Sequence, residues 1–302
     1  MLTEDNTCEV PPTRVSRERR RAAAARQKWH GCGLKQAIFV DRQSENMSDW
    51  EFFSIRTADG VATVTMDRPP LNVLNNPMME GFNALLESLV TQTSLAAIVI
   101  GAHGKTFSAG VDVGEHTAEK VGDMIRLFHG IFRKLASTDA LTIAVVQGAA
   151  LGGGCELACF CDIVLASERA KFGQPEVHVG VFPPVAACLL PAQVGIKKAL
   201  ELVALGPTIG AEEALRIGLV NAVYEADTFD ARVEEYLDAI RKLSRPVVRL
   251  AKRAIVRSTR AQFLSDLDQA ERIYLDELMK LHDAHEGIAA FMEKRPPQWV
   301  HA

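Results

Sequence analysis

Two glutamates stand in surroundings that ordinarily exclude charge. Glu156 lies within Gly152-Gly153-Gly154-Cys155-Glu156-Leu157-Ala158-Cys159-Phe160-Cys161, and Glu176 follows Phe172-Gly173-Gln174-Pro175 and precedes another apolar stretch. A carboxylate in such a setting is costly unless it has a partner or a task. Two of them sharing a dry cleft would hold one water between them, and burial would raise at least one pKa far enough for it to donate a proton near neutrality. Taken singly, either reads more readily as a helix cap or a surface acid.

Two glycine-containing loops accompany the acids. One is Lys105-Thr106-Phe107-Ser108-Ala109-Gly110-Val111-Asp112, and the other runs from Gly148 through Gly152-Gly153-Gly154 to Leu157. Glycine after a buried strand permits a sharp turn and lets a backbone N–H approach a ligand closely. Two such loops on neighbouring strands would aim two N–H groups at one oxygen. The second loop also leads into a helix expected over 153–160, whose positive N-terminal end favours a developing oxyanion. A carbonyl becoming an enolate is what this arrangement stabilises, each donor contributing roughly 3 to 4 kcal/mol. Glycine content alone fits simple tight turns equally well, and it is the conjunction with two acids that points to chemistry.

The elements that must position these loops are readable from the hydrophobic pattern. Phe53 to Thr57 and Val61 to Met66 read as a hairpin around Asp59-Gly60. Pro77 opens a helix with Met78, Phe82, Leu85, Leu86 and Leu89 on one face, and Lys120 to Ala136 is a second amphipathic helix. Ala96 to Ile100, Thr142 to Val146 and Asp162 to Ala166 are short buried strands, each followed by a loop. Val185 to Ala204 reads as helical with interruptions at Pro191 and Gly195, and Leu219 to Tyr224 as a last strand. After about Phe229 the chain becomes a charged helical tail, the usual composition of a packing or oligomerisation element.

At 302 residues, 48% hydrophobic and 24% charged, the chain is long enough for a substantial core. A net charge of -4 and a pI of about 6.1 argue against general polyanion binding and leave room for a local pocket that takes one phosphorylated group. Its longest apolar run, Leu141 to Leu151, is too short to cross a bilayer. Cys8, Cys32, Cys155, Cys159, Cys161 and Cys188 form no Cys-x-x-Cys pair, which favours a reduced, cytoplasmic protein over a metal site. His116 and His129 read as helix-surface or packing residues. No nucleophile elbow, phosphate-binding Walker loop, zinc-protease or dinucleotide motif is present. Residues 1–46 stand apart through the Arg/Ala stretch Arg14 to Lys28, which reads as a flexible extension, as a nucleic-acid-binding arm, or as a gene-assignment artefact preceding a true start at Met47.

The runs FSAGVDV, GAALGGGCELACFCDIVLAS and AKFGQPEVHVGVFP, ordered over roughly Trp50 to Val300, resemble the enoyl-CoA hydratase/isomerase (crotonase) superfamily. The resemblance implies an α/β fold, a crotonase-like ββα superhelix core over residues 47–228 with a C-terminal helical oligomerisation region over 229–302. It implies oxyanion N–H groups at Val111 and Gly153 and an acid/base pair at Glu156 and Glu176. Hydratases of the family carry both glutamates, whereas many isomerases and hydrolases keep one or neither. Asp112 and Asp162 fall at structural aspartates that cap or orient loops. Coenzyme A is expected as part of the substrate, without metal or redox cofactor, along Pro70, Leu71 and Val73 and along Ala109, Gly110, Asp112 and Val113. Phe291 and Lys294 fall near its adenine or phosphate end. A homotrimer or dimer of trimers is the implied assembly.

One segment departs from the common hydratase pattern. After Glu176 the chain reads Gly180-Val181-Phe182-Pro183-Pro184-Val185-Ala186-Ala187-Cys188 where many members have a glycine-rich run, so Phe182 and Pro183 are expected to reshape the acyl pocket. With Ser108-Ala109-Gly110-Val111-Asp112-Val113-Gly114-Glu115-His116, this segment is similar to hydratases of the cyclohexa-1,5-diene-1-carbonyl-CoA type. The implied function is hydration of a conjugated enoyl- or dienoyl-CoA, cyclic dienoyl thioesters of aromatic degradation included. An enoyl-CoA double-bond isomerase is the alternative within the fold, and an RNA-binding or scaffolding protein using the Arg-rich arm is the alternative from another class.

Overall fold

The structure, a computed structural model, describes residues 50–302. The Arg/Ala stretch and the rest of residues 1–46 lie outside the described residues. Strands β1 (Phe53–Ala58) and β2 (Val61–Met66) form the expected antiparallel hairpin, with Phe53 opposite Met66 and Ala58 opposite Val61. Asp59 (φ 51°) and Gly60 (φ 81°) both take the left-handed turn conformation that matches strand twist.

From β2 the large sheet grows in parallel through β3 (Ala97–Ala102), β5 (Leu141–Val146), β7 (Ile163–Ser167) and β10 (Ala222–Tyr224), giving the six-stranded order β1-β2-β3-β5-β7-β10. Parallel strands covered on both faces read as unbroken apolar runs, and every residue of β3 is buried. A second sheet, in the order β4-β6-β8-β9, is built from three-residue strands: β4 (Thr106–Ser108), β6 (Ala149–Leu151), β8 (Lys171–Gly173) and β9 (Thr208–Gly210). The chain repeatedly passes from a strand of the large sheet to a strand of the small one and then into a helix, the ββα pattern.

Helix α1 (Asn76–Val90) starts where the Asn75 side chain accepts the Met78 N–H at 3.1 Å, with Pro77 in its first turn. Its buried face carries Met78, Phe82, Leu85, Leu86 and Leu89 and packs against α2 (Val121–Ser137), whose stripe runs from Val121 to Leu135. Helix α3 (Gly153–Phe160) is buried along its whole length. The stretch after it differs in detail from the pattern-based reading. Pro191 lies inside α4 (Pro184–Val194) without ending it, and only Gly195 (φ 78°) separates α4 from α5 (Ile196–Leu205). The last strand begins at Ala222, because Leu219 and Val220 are buried in the turn after α6 (Ala211–Arg216).

The tail comprises α7 (Phe229–Arg241), α8 (Arg245–Arg272) and α9 (His282–Glu293). Asp162 ties α8 to the core. Its Oδ2 accepts the Thr142 N–H at 2.7 Å and the Thr142 hydroxyl at 2.8 Å, and its two oxygens meet Lys252 Nζ at 2.7 Å and Arg260 Nη2 at 2.6 Å. Burial pushes the Asp162 carboxyl upward, and the Lys252 and Arg260 cations outweigh it and hold the carboxyl below its usual range. Burial moves Lys252 the other way, down to about 8 despite the carboxylate, so the permanently charged Arg260 is the firmer partner. Helix α8 ends in a π turn, Ile273–Glu277, and a 3-10 turn, Leu278–Lys280, after which α9 packs on the turns Val113–Glu115 and Pro175–Val179. Among the described residues no helix is long and apolar enough to cross a membrane.

Candidate active site

The segment 70–74 runs beside 109–112. Ala109 N–H donates to Leu71 O at 3.0 Å, Leu74 N–H to Gly110 O at 2.8 Å, and Asp112 N–H to Leu74 O at 2.9 Å. Leu74 thus engages both neighbours of Val111, and because successive peptide groups alternate in direction, the Val111 N–H faces away from it. Gly110 (φ +100°) makes the approach of the two glycine loops possible: a Cβ there would lie 2.9 Å from Leu151 O and 3.2 Å from Gly153 N. Gly153 opens α3, where a helix leaves its first N–H groups free. The Val111 and Gly153 loops are therefore in direct contact.

Glu156 sits in the first turn of α3 and is 2% exposed. Its Oε1 accepts the Ala186 N–H at 2.8 Å. That amide belongs to the first turn of α4, so the Phe182-Pro183-Pro184-Val185-Ala186 segment supplies a helix N-terminus to this acid. Burial raises the Glu156 carboxyl to about 7 against the opposing pull of the Ala186 and Val185 amides. Glu176 lies on the 3-10 turn Pro175–Val179 and reaches back to Gly152 (φ +51°), where a Cβ would meet its Oε1 at 2.7 Å. Burial first, and the Glu156 charge second, raise Glu176 well above the carboxylate range. Both acids are pushed toward the neutral form, so the pair retains a proton near neutrality.

Glu156, Glu176, Gly110, Val111, Gly152 and Gly153 all line one cavity of about 330 Å³. Ala109, Val113, Phe182, Pro183 and Phe291 line it too. Pro70, Leu71, Val73, Asp112 and Lys294 do not: the first three flank the Ala109–Asp112 loop, Asp112 caps the Val113–Glu115 turn by accepting the Gly114 N–H at 3.0 Å, and Lys294 ends α9 in the left-handed conformation. His116 is a wall of the cavity rather than a surface residue, with Nδ1 3.1 Å from Asp112 O, and burial lowers its pKa. His129 is a packing residue, fully buried, with Nδ1 2.9 Å from Glu271 Oε2. Asp162 is a structural residue, as expected: it joins the link between α3 and β7 to Thr142 of β5 and to α8.

Beyond Phe291, the tail supplies two residues that the sequence pattern does not reveal. Tyr274 and Ile288 line the cavity, and the Tyr274 ring packs edge-on against Phe182 with centroids 5.4 Å apart. Tyr274 lies in the π turn, a register shift with no signature in the residue pattern. Met124, Ile125 and Phe128 were visible only as part of an amphipathic stripe, and they too face the cavity.

The arrangement can polarise a carbonyl with two backbone donors and exchange protons at carbons beside it through two carboxyl groups that share a proton. Residues 56–302 match the family model described as enoyl-CoA hydratase/isomerase. A cyclohexa-1,5-dienecarbonyl-CoA hydratase of Thauera aromatica is 36% identical over 232 residues, covering 77% of this chain and 90% of the relative. A short-chain-enoyl-CoA hydratase of Clostridium acetobutylicum is 36% identical over 247 residues, covering 78% and 92%. A crystal structure of an enoyl-CoA hydratase from Mycobacterium avium subsp. paratuberculosis superposes with a TM-score of 0.74 at 32% identity, covering 82% of this chain and 98% of that one.

Proposed function

This chain belongs to the enoyl-CoA hydratase/isomerase family, and from that premise we propose that it adds water across the conjugated double bond of an enoyl- or dienoyl-CoA thioester, a cyclic dienoyl-CoA being the favoured substrate. The observation that carries this reading is that Glu156 and Glu176, both driven toward the neutral form, line one cavity with Val111 and Gly153. The thioester carbonyl accepts the Val111 and Gly153 N–H groups, which draw charge from the β-carbon and stabilise the enolate. Water held by both carboxyl groups attacks the β-carbon, Glu156 takes its proton, and Glu176 protonates the α-carbon. The two carboxyls then re-equilibrate their protons, so no electron leaves the substrate and coenzyme A is the only carrier required.

Coenzyme A is assigned to the edge formed by Pro70, Leu71, Val73 and the Ala109–Val113 loop, with Phe291 and Lys294 near its far end. Three observations favour a bulky or cyclic acyl group: Phe182 and Pro183 in the cavity wall, the edge-on Tyr274–Phe182 contact, and the likeness to the Thauera aromatica relative. Flat rings pack well against such an aromatic wall.

The decisive experiment is product analysis with crotonyl-CoA and with a cyclic dienoyl-CoA, using wild type, Glu156→Gln, Glu176→Gln and the double variant. Each single change is expected to remove most hydration and the double variant all of it. An isomerase would tolerate one change and yield a shifted double bond. Hydration surviving in the double variant refutes the mechanism, and preference for the straight-chain substrate refutes the cyclic assignment.

A further inference from the structure

Among the described residues, several buried side-chain polar atoms have no hydrogen-bond partner within the protein, and two of these belong to residues lining the candidate active site: Glu176 Oε2 and the Tyr274 hydroxyl. Tyr274 is only 1% exposed. A buried phenol usually finds a partner, and leaving it unpaired is unfavourable. Nothing about the ring demands a hydroxyl, since its contact with Phe182 is an aromatic edge contact that phenylalanine would make equally well. The residue sits in the π turn Ile273–Glu277, a local departure from helical register of the kind found at functional positions. Burial, followed by the charges of Glu176 and Glu156, raises its phenol pKa, so the hydroxyl stays protonated and able to donate.

Resting on the hydration reading above, we propose that Tyr274 is a positioning residue for the attacking water, its O–H donating to the oxygen that becomes the β-hydroxyl. A water molecule has two hydrogens and two lone pairs. The two carboxyl groups accept the hydrogens and the phenol occupies one lone pair, which leaves the other aimed at the β-carbon. In the reverse direction the same O–H holds the departing hydroxyl. Tyr274 thereby ties the C-terminal helices to the chemistry, not only to the shape of the acyl pocket.

Tyr274→Phe keeps the ring and removes the donor. Two rates on the same variant separate its role from structure: kcat and KM for crotonyl-CoA hydration, and exchange of the α-hydrogens of butyryl-CoA with heavy water. Exchange needs the carbonyl donors and a base but no attacking water. The expected result is a fall in hydration kcat of about tenfold, one hydrogen bond's worth, with KM and exchange within about twofold of wild type. The proposal is overturned if hydration falls less than about fivefold relative to exchange, whether because both are unaffected or because both decline together. A wild-type enzyme that hydrates no enoyl thioester sinks the functional reading itself, and this assignment with it.

Discussion

Gly152→Ala is the perturbation that tests the site geometry most directly. Gly152 combines φ 51° with ψ -128°, a backbone conformation that side-chain-bearing residues rarely adopt, and the added Cβ would stand 2.7 Å from Glu176 Oε1. Backbone strain of this kind costs about 1–3 kcal/mol. To reach ordinary contact the carboxyl must withdraw to at least 3.4 Å from the new methyl. Misplacing a catalytic group by about 1 Å lowers a rate on the order of 100-fold. The expectation is therefore a loss of hydration kcat on the order of 10- to 100-fold, with a drop in melting temperature of a few degrees for each kcal/mol of strain. Steady-state hydration of crotonyl-CoA, followed by loss of the conjugated thioester absorbance, reads the first; a thermal melt reads the second. Because the methyl acts through Glu176, adding Gly152→Ala to Glu176→Gln should cost little further activity. A single variant with kcat within about threefold of wild type, or full additivity in the double variant, would refute the placement of Glu176 against this turn.

Two further predictions concern stability. Burial raises Glu156 from 4.5 to about 7, so its favourable contribution is present below the unfolded value and is lost as pH rises through the folded one, by about 3 kcal/mol. Glu156→Gln, whose amide oxygen can still accept the Ala186 N–H, should therefore melt higher than wild type at pH 8 and the gap should close toward pH 4.5; an equal gap at both pH values would contradict the burial argument. Asp162→Ala strands Lys252 and Arg260 at the root of α8 and should destabilise the protein by about 3–5 kcal/mol in denaturant titration. The native Asp162 carboxyl is held low, so this contribution is present above the unfolded pKa and is lost as pH falls through the folded one. A change below about 1 kcal/mol would mean that α8 is held by its apolar face alone.

Legibility in the residue order tracked sequence distance. The hairpin, α1, α2 and the buried strands are set by local period and turn chemistry, and they fall within a few residues of their expected bounds. Glu156 and Glu176 stand out because charge is anomalous in their local setting, and the structure brings both into one cavity. The second sheet left no trace, because three residues are too few to establish an alternation. Pro191 reads as an interruption, yet α4 runs on past it to Val194. Asp162 reads as a structural aspartate, but its cationic partners are hidden, since nothing nearby announces Lys252 and Arg260, 90 and 98 residues further on. Tyr274 was invisible for both reasons at once: it arrives from the tail, and the turn that carries it breaks the period by which a buried face is recognised.

The bond from Ala186 to Glu156 has a consequence for how such a site diverges. The helix start that brings Phe182 and Pro183 to the cavity wall also supplies the amide that partly offsets the burial-raised proton affinity of Glu156. A substitution that widens the wall for a larger ring also shifts that amide, so substrate range and working pH are inherited together. Relatives that accept different acyl groups should then differ in their acid limbs even where every glutamate is retained.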